Sequence, residues 1–484
     1  MMVIFIFEIV LNRGVFSLNN NSNFLDSAQI KHVHFIGIGG SSMSGLAEIL
    51  LSQGYKVSGS DIKSSKSTLK LESKGAEVFI GHKSENITDP DLVVYTVAVK
   101  EENAEMLRSR ELNIPVIDRA ELLGLLMKKH SFGIAVSGTH GKTTTTSMIT
   151  SIMLEANTDP TVHIGGELDC IGGNTRIGDS DYFITEACEY YGSFLKFYPF
   201  MAVILNIELD HVDYFKDLEH IKTTFEKFVS LVPSNGYIIA CADDENTLSV
   251  ANNKNCNIIT YGIKNPNFMW TAKNISYNDM GCASFNVYKE GALLGTVSLS
   301  VPGSHNVSNS LAAIASCYTC GCSIDSIILG LLKFGGSHKR FELKGLVDDI
   351  RVIDDYAHHP SEVQATLNAA KNTVHNKIWC VFQPHTYSRT KAFLEKFSQS
   401  FGDADNIIIS DIYAAREKDP GDIHSDILAE KIRQQGSNAI YISDFHEIAD
   451  YLDKNAKPGD LILTMGAGDV VRVGEMFLNI RGNK

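Results

Sequence analysis

The 484-residue sequence lacks any run of about twenty uninterrupted apolar residues, which excludes an ordinary membrane-spanning helix. It also lacks an excess of positive charge. With 43 Lys and Arg against 57 Asp and Glu, the formal net charge is -14, and a chain of that sign is a poor partner for a nucleic-acid backbone. The opening stretch 1–10 is apolar but carries Glu8 and has neither a basic lead nor a small-residue cleavage site. No signal peptide is therefore expected, and the chain is expected to work in the cytoplasm. The 9 cysteines are scattered, and the cluster Cys317, Cys320 and Cys322 has no second pair at zinc-binding spacing, so it reads as buried small side chains. Short internal repeats and low-complexity linkers are absent too.

What is present is the composition of a folded protein: 44% hydrophobic and 21% charged residues, over a length that suggests about three domains. Residues 1–30 precede the first recognisable strand and read as an N-terminal extension. From Lys31 onward, short apolar strands alternate with amphipathic helices: a strand at 32–36, a helix at 43–51, then strands at 56–60 and 92–96. That rhythm predicts a parallel sheet wrapped by helices. The pattern restarts at 132–136, with further strands at 182–185, 202–205 and 237–240 and hairpins around 284–300. A third run starts at 351–353, continues through 378–382 and 407–409, and closes at 461–464 before Gly466-Ala467-Gly468-Asp469. The predicted division is 31–131, 132–335 and 336–484, each section α/β.

The strand at 132–136 runs into Gly138-Thr139-His140-Gly141-Lys142-Thr143-Thr144. Two glycines let consecutive backbone N–H groups converge on one anion at a helix N-terminus, Lys142 can reach outer phosphates, and Thr143 can offer a hydroxyl to magnesium. The loop departs from the general phosphate-loop pattern, because Val136 stands where the first glycine would fall. Glu186 and the pair Asp210-His211 follow predicted strands, where open α/β sheets place ligands. Singly, each could be a surface or capping group; beside a phosphate loop they fit a magnesium site. Near the N-terminus, Gly37-x-Gly39 after one strand and Asp61 after the next would suit a dinucleotide, but Ser42 stands where the third glycine belongs.

Taken in order, these strings resemble the Mur ligase family. The resemblance runs from about Lys31 to the C-terminus on Gly37-Ile38-Gly39-Gly40 with Met43-Ser44-Gly45, the Gly138–Thr143 loop, Glu186-Ala187-Cys188-Glu189, Asn206 with Asp210-His211, and Gly303-Ser304-His305-Asn306 with Asn309. His338-Lys339-Arg340, Asp354-Asp355-Tyr356-Ala357-His358-His359-Pro360 and Gln383-Pro384-His385 complete it. The resemblance implies three domains: an N-terminal Rossmann-like UDP-binding domain, a central P-loop ATPase domain with a mixed sheet, and a C-terminal Rossmann-like domain. It implies an ATP-dependent, magnesium-requiring ligase of peptidoglycan precursor synthesis that joins L-alanine to UDP-N-acetylmuramate through an acyl phosphate. It implies no membrane or nucleic-acid partner, and a monomer or homodimer.

By the same resemblance, Gly37, Gly39, Gly40, Met43, Ser44 and Asp61 serve the UDP-sugar. Gly138, Thr139, His140, Gly141, Lys142, Thr143, Thr144, His305, Asn306, Asn309, Arg340 and Asp355 serve ATP. Thr143, Glu186 and His211 serve the metal. Tyr356, His358, His385 and Arg389 surround the amino acid, and Lys142, Glu186, His211 and His358 form the catalytic set, with His358 and His211 as candidate bases.

Departures from the family pattern are Cys188 and Tyr190-Tyr191 after Glu186, Tyr95-Thr96-Val97 where a Ser-rich contact is common, and Thr386 where an arginine is common. If that arginine holds the amino-acid carboxylate, Arg389 or Arg416 is expected to replace it. Three rival readings are a recycling ligase that adds a peptide to UDP-muramate, a nicotinamide-dependent oxidoreductase and a catalytically silent nucleotide sensor. The oxidoreductase leaves Lys142, Glu186 and His211 without a purpose, and the sensor predicts that they are missing.

Overall fold

The computed structural model describes residues 25, 29–252, 255–265 and 267–482. The apolar stretch 1–10, and with it most of the 1–30 extension, lies outside the described residues. The chain forms three sheets of five, ten and six strands, one from each sequence section.

The first sheet is wholly parallel, in the spatial order Glu77–Ile80, Lys56–Asp61, His32–Ile36, Leu92–Tyr95, Val116–Asp118. Chain direction across the sheet reverses beside His32–Ile36, so a crevice opens at the carboxyl end of that strand, where Gly37 begins its loop. The helix Arg119–Lys128 buries Leu122, Leu123, Leu126 and Met127 and rests on the short turn Tyr190–Lys196 of the second section. Gly124 makes that contact possible, since a Cβ there would overlap the Lys196 carbonyl.

The second sheet has a parallel centre, ordered Asn257–Gly262, Tyr237–Cys241, Met201–Ile204, Phe132–Ser137, Tyr182–Glu186, Thr161–Leu168. Antiparallel Gly173–Arg176 extends one edge. At the other edge Trp270–Tyr277 pairs in parallel and then continues antiparallel into Cys282–Lys289 and Ala292–Pro302. The third sheet is parallel except for Glu342–Val347, which lies antiparallel on the edge beside Ile350–Asp355. Among the described residues no helix is long and apolar enough to cross a membrane.

The helix Lys142–Glu155 shows how tertiary packing overrides local preference. Its sequence is rich in threonine and isoleucine, which lose side-chain freedom in a helix. Met148, Ile149, Ile152 and Met153 are fully buried, and Gly330 of the helix Ile324–Lys333 lets that helix sit against the Ile152 backbone. The Thr146 and Thr150 hydroxyls donate to the carbonyls of Lys142 and Thr146, both at 2.8 Å, whereas the buried Thr145 hydroxyl beside them has no partner among the described residues.

All nine cysteines are free thiols, with Cys317 and Cys322 buried and Cys320 half-buried, and Cys322 against Met153. Burial pushes the Cys320 thiol up to about 12, which suits inert packing better than metal ligation.

Candidate active site

The strand Phe132–Ser137 delivers the chain to Gly138 at φ 138°, and Gly141 at φ 85° turns it into the helix Lys142–Glu155. Both angles favour glycine. A Cβ on Gly141 would also stand 2.6 Å from the Asn309 amide oxygen. The helix has no side-chain cap and no acidic residue in its first turn, so its N-terminal N–H groups and dipole are directed at the loop. Lys142 Nζ curls into the same loop and donates to the carbonyls of Gly138 (2.5 Å) and Thr139 (3.1 Å), and to Glu189 Oε2 (3.1 Å). Burial works against the ammonium, but the Glu189 carboxylate outweighs it and holds the lysine's pKa well above its usual value.

Around that loop lies a cavity of about 970 Å³ lined by residues of all three sections, Ser41 being the first section's contribution. Thr143, Glu186 and His211 all face it. Glu186 is fixed by the Gly165 N–H, 2.7 Å from its Oε1. The adjacent Gly166 leaves only enough space for the Thr143 methyl, since a Cβ there would stand 3.0 Å away. His211, at φ 48°, stacks on Tyr190 with ring centres 4.4 Å apart and lies 3.7 Å from Glu189 Oε1. A hydroxyl, a carboxylate and an imidazole beside a loop of convergent N–H groups suit a hard divalent cation carrying phosphate oxygens, so the residues fit magnesium with ATP.

The third section contributes two segments. Asp354–Glu362 runs from the strand Ile350–Asp355 into the helix Pro360–Lys371, whose start is closed by a reciprocal pair. His359 Nδ1 accepts from Ser361 N–H, and Glu362 accepts from the His359 N–H. His358 Nδ1 lies 2.8 Å from the Tyr356 carbonyl, which can only accept. The proton therefore sits on Nδ1, and Nε2 keeps a lone pair. Burial, with Arg389 nearby, lowers the pKa of His358 against the pull of Glu362, so the ring is neutral near pH 7.

The second segment, His385–Arg389, stands opposite. His385 is 5.6 Å from His358 between ring centres, and burial with the nearby cations pushes its pKa down to about 3. Thr386 is β-branched yet stands at φ 66°, a strained conformation that its bonds to Tyr413 and Arg389 hold. Arg389 is buried and committed: Nε and Nη2 both donate to Asp210 Oδ1, at 3.0 and 2.9 Å, and Nη1 donates to His385 Nδ1 at 3.0 Å. Burial alone would raise the pKa of Asp210, but this guanidinium keeps it well below the usual carboxylate range.

Behind the loop, a second pocket of about 260 Å³ brings together His140, Gly141, Thr144, His305, Asn306, Asn309, Arg340 and Asp355. Asn309 donates to Asn306, and Asn306 donates to the Pro302 carbonyl, so two polar side chains present fixed edges to a pocket of mixed polar and apolar lining. Asp355 does not project freely; it accepts from the N–H groups of Phe341 and Ala357 and braces the junction between sections. In the first section, Gly37 is at φ 86° and the Gly39 N–H donates to Asp61 at 2.9 Å, so Asp61 shapes the glycine loop directly. Gly40 lies just before the helix Ser41–Ser52. Met43 and Ser44 are buried on that helix, and the Ser44 hydroxyl is used by the Ser41 carbonyl.

Several pairings are invisible to motif reading, although Glu189 and Asp210 stand in the strings read from the sequence. Glu189 is the partner of Lys142, and Asp210 that of Arg389. His140 is held between two acids, Glu362 (3.2 Å) and Glu208 (3.7 Å), which against the cost of burial raise it to about 9. Among the described residues, His140, Glu208 and His359 are the one group of three histidine, cysteine or carboxylate side chains whose ligand atoms all lie within 4.8 Å of one another. Nδ1 of His359 is already used by Ser361, and its Nε2 faces the Leu209 carbonyl at 3.2 Å, so the group reads as an interdomain clasp. A sequence signal existed for one of these: Pro360 followed two residues later by Glu362 marks a helix start. The paired glycines of the strand Thr161–Leu168 were another, since adjacent glycines within a strand mark close approach.

Comparison with known proteins bears on the whole chain. Residues 32–131 match the Mur ligase family catalytic domain, 136–317 the Mur ligase middle domain, and 339–468 the Mur ligase glutamate ligase domain. The chain is 62% identical over 456 residues to the UDP-N-acetylmuramate–L-alanine ligase of Acetivibrio thermocellus, covering 94% of this chain and 97% of that protein. The enzyme of the same name from Caldanaerobacter subterraneus subsp. tengcongensis is 54% identical, covering 94% and 98%. Among solved structures, the UDP-N-acetylmuramate–alanine ligase of Thermotoga maritima superposes with a TM-score of 0.78 at 29% identity, covering 94% of this chain and 100% of that one. A murein peptide ligase from Psychrobacter arcticus gives 0.68 at 27%, covering 94% and 99%.

Proposed function

The chain belongs to the Mur ligase family, and from that premise we propose that it joins L-alanine to the lactyl carboxylate of UDP-N-acetylmuramate, converting ATP to ADP and phosphate, in the synthesis of peptidoglycan precursors. The observation that carries the reading is a cavity shared by an uncapped phosphate loop and two facing histidine segments of the third section, within a chain so similar to enzymes of that name. In this reading residues 31–131 hold the UDP-sugar, 132–335 hold ATP, and 336–484 present the amino acid. The reaction takes place in the cytoplasm, on a monomer or homodimer, with small molecules as the partners.

A carboxylate resists attack by an amine because its carbon is electron-rich and oxide is a poor leaving group. The lactyl carboxylate oxygen therefore attacks the γ-phosphorus of ATP, the bond to ADP breaks, and an acyl phosphate forms. The loop N–H groups and Lys142 hold the charge that gathers on the transferring phosphoryl oxygens. Thr143, Glu186 and His211 would hold magnesium, which neutralises phosphate charge when bound. His305, Asn306 and Asn309 frame the adenine side, with Arg340 at the junction. The alanine amine then attacks the acyl carbon, its excess proton passes to the free Nε2 of His358, and phosphate leaves from the tetrahedral intermediate. His358 is favoured over His211 as base, because its tautomer is fixed with a lone pair free.

The test is phosphate release from ATP and magnesium with UDP-N-acetylmuramate, with L-alanine present, omitted or replaced by the L-alanyl-γ-D-glutamyl-diamino-acid tripeptide, and with product mass checked. Release that requires both UDP-muramate and alanine, with the alanyl product formed, is expected. Release with the tripeptide alone would overturn the reading in favour of a recycling ligase.

A further inference from the structure

The cavity must hold two carboxylates at once: the one activated by ATP and the one that the incoming amino acid keeps. The second is never consumed, so it needs a cation that is neither spent on the phosphates nor neutralised by the protein. Of the lysines and arginines lining the cavity, Lys142 is bound to Glu189, Lys344 to Glu342 at 3.2 Å, and Arg389 to Asp210. Lys339 and Arg340 lie over the Tyr356 ring, at 6.0 and 5.2 Å, and Arg340 also borders the second pocket beside Asp355. That leaves Arg416, which lines the cavity and, among the described residues, makes no ion pair, side-chain hydrogen bond or ring contact.

Its position is built, although no regular element carries it. The segment Tyr413–Glu417 is stitched to the turn 384–389 from both ends. Tyr413 N–H donates to the Pro384 carbonyl at 2.8 Å, and Thr386 N–H donates back to Tyr413 at 2.9 Å. Glu417 accepts from Ser388 N–H at 2.9 Å and from the Ser388 hydroxyl. The Tyr413 ring stacks on His385, 5.8 Å between centres and 15° from parallel. Ala415, immediately before Arg416, stands at φ 52°, so the chain kinks between these two anchors. The outcome is an exposed guanidinium on the wall of the cavity that His358 and His385 also line, carried by a segment that the 384–389 turn itself holds in place.

We infer that Arg416 takes the α-carboxylate of the incoming amino acid and so sets the requirement for a free acid at that site. This rests on the ligase reading above. A guanidinium matches a carboxylate with two parallel N–H···O bonds. It would fix the amino acid by the end that does not react, leaving the amine to turn toward the acyl carbon. Arg389 then acts from behind, holding His385 and the central section together through Asp210, and Thr386 contributes shape without charge.

Steady-state kinetics on Arg416→Ala and Arg416→Lys tests this, with L-alanine and L-alaninamide compared as acceptors. In Arg416→Ala, the KM for L-alanine should rise about 30- to 100-fold, the loss of one charge-assisted pair. The KM values for ATP and UDP-N-acetylmuramate should stay within about twofold of the wild type. The preference for L-alanine over L-alaninamide should fall by the same factor, and Arg416→Lys should retain part of it. An unchanged KM for alanine, a parallel rise for all three substrates, or an undiminished preference for the free acid in Arg416→Ala would each overturn the inference. Wild-type protein that makes no alanyl product would instead overturn the ligase reading, and the two failures are distinct.

Discussion

His140 stands one residue before Gly141 in the phosphate loop, and on the wall of the second pocket its ring lies between Glu362 of the third section and Glu208 of its own. Its pKa of about 9 lies above the ordinary 6.5, so the folded protein holds a proton there that the unfolded chain has released between those values. The stabilisation is fully present below pH 6.5 and is lost as pH rises through about 9. The buried histidines His359 and His163, lowered to about 4 and about 3, have the opposite sign and are silent above 6.5. Thermal melts of the wild type should therefore fall between pH 6.5 and 9 more steeply than those of His140→Gln. Parallel curves would show that this clasp carries no proton-linked stability.

At the scale of elements, the helix Ser41–Ser52 is the hinge between loop chemistry and domain packing. Its Ser42 hydroxyl meets His163 Nε2 at 2.7 Å and accepts from Arg119 at 2.9 Å, and Asn174 donates to the Ser41 carbonyl at 2.8 Å. Gly45, one turn on, has no space for a side chain, since a Cβ would overlap the Thr175 hydroxyl and come within 3.0 Å of the His163 ring. The Gly-rich string after the first strand is therefore partly a docking surface for the central section. Gly45→Ala should destabilise by about 1–3 kcal/mol, the usual cost of overpacking, and raise the KM for the UDP-sugar. Adding Thr175→Ala should recover most of the melting temperature. A double variant no more stable than the single one would remove Thr175 from the contact.

The same scale shows what the sequence could and could not disclose. The strands read at 378–382 and 461–464 coincide with Ile378–Phe382 and Leu461–Met465, because near-continuous apolar runs mark strands buried on both faces, and the strand read at 32–36 coincides with His32–Ile36, where two buried histidines alternate with apolar residues. Thr161–Leu168 and Gly173–Arg176 carry no legible strand pattern, because paired glycines and polar residues erase the signal. The edge strand Glu342–Val347 carries none either; it is half-solvated and its charged and glycine residues interrupt the alternation.

For the molecule as a whole, the loop 138–144 was legible as a candidate phosphate loop, because glycine turns and a Lys-Thr pair have few other uses. The partners that orient those groups were not. Arg389 meets Asp210 across 179 positions, and His140 meets Glu362 across 222. Such pairs carry no local pattern, and only the folding of three sheets around one cavity brings them together. On the proposed function, residues of each section are needed for a single bond: one section would anchor the sugar nucleotide, one the phosphates, and one the nucleophile. UDP-N-acetylmuramate labelled with ¹⁸O in its lactyl carboxylate tests that account most directly, by mass analysis of the phosphate released on full turnover with L-alanine. One labelled oxygen in each released phosphate is predicted, because a carboxylate oxygen attacks the γ-phosphorus and leaves with it. Unlabelled phosphate alongside alanyl product would contradict activation through an acyl phosphate.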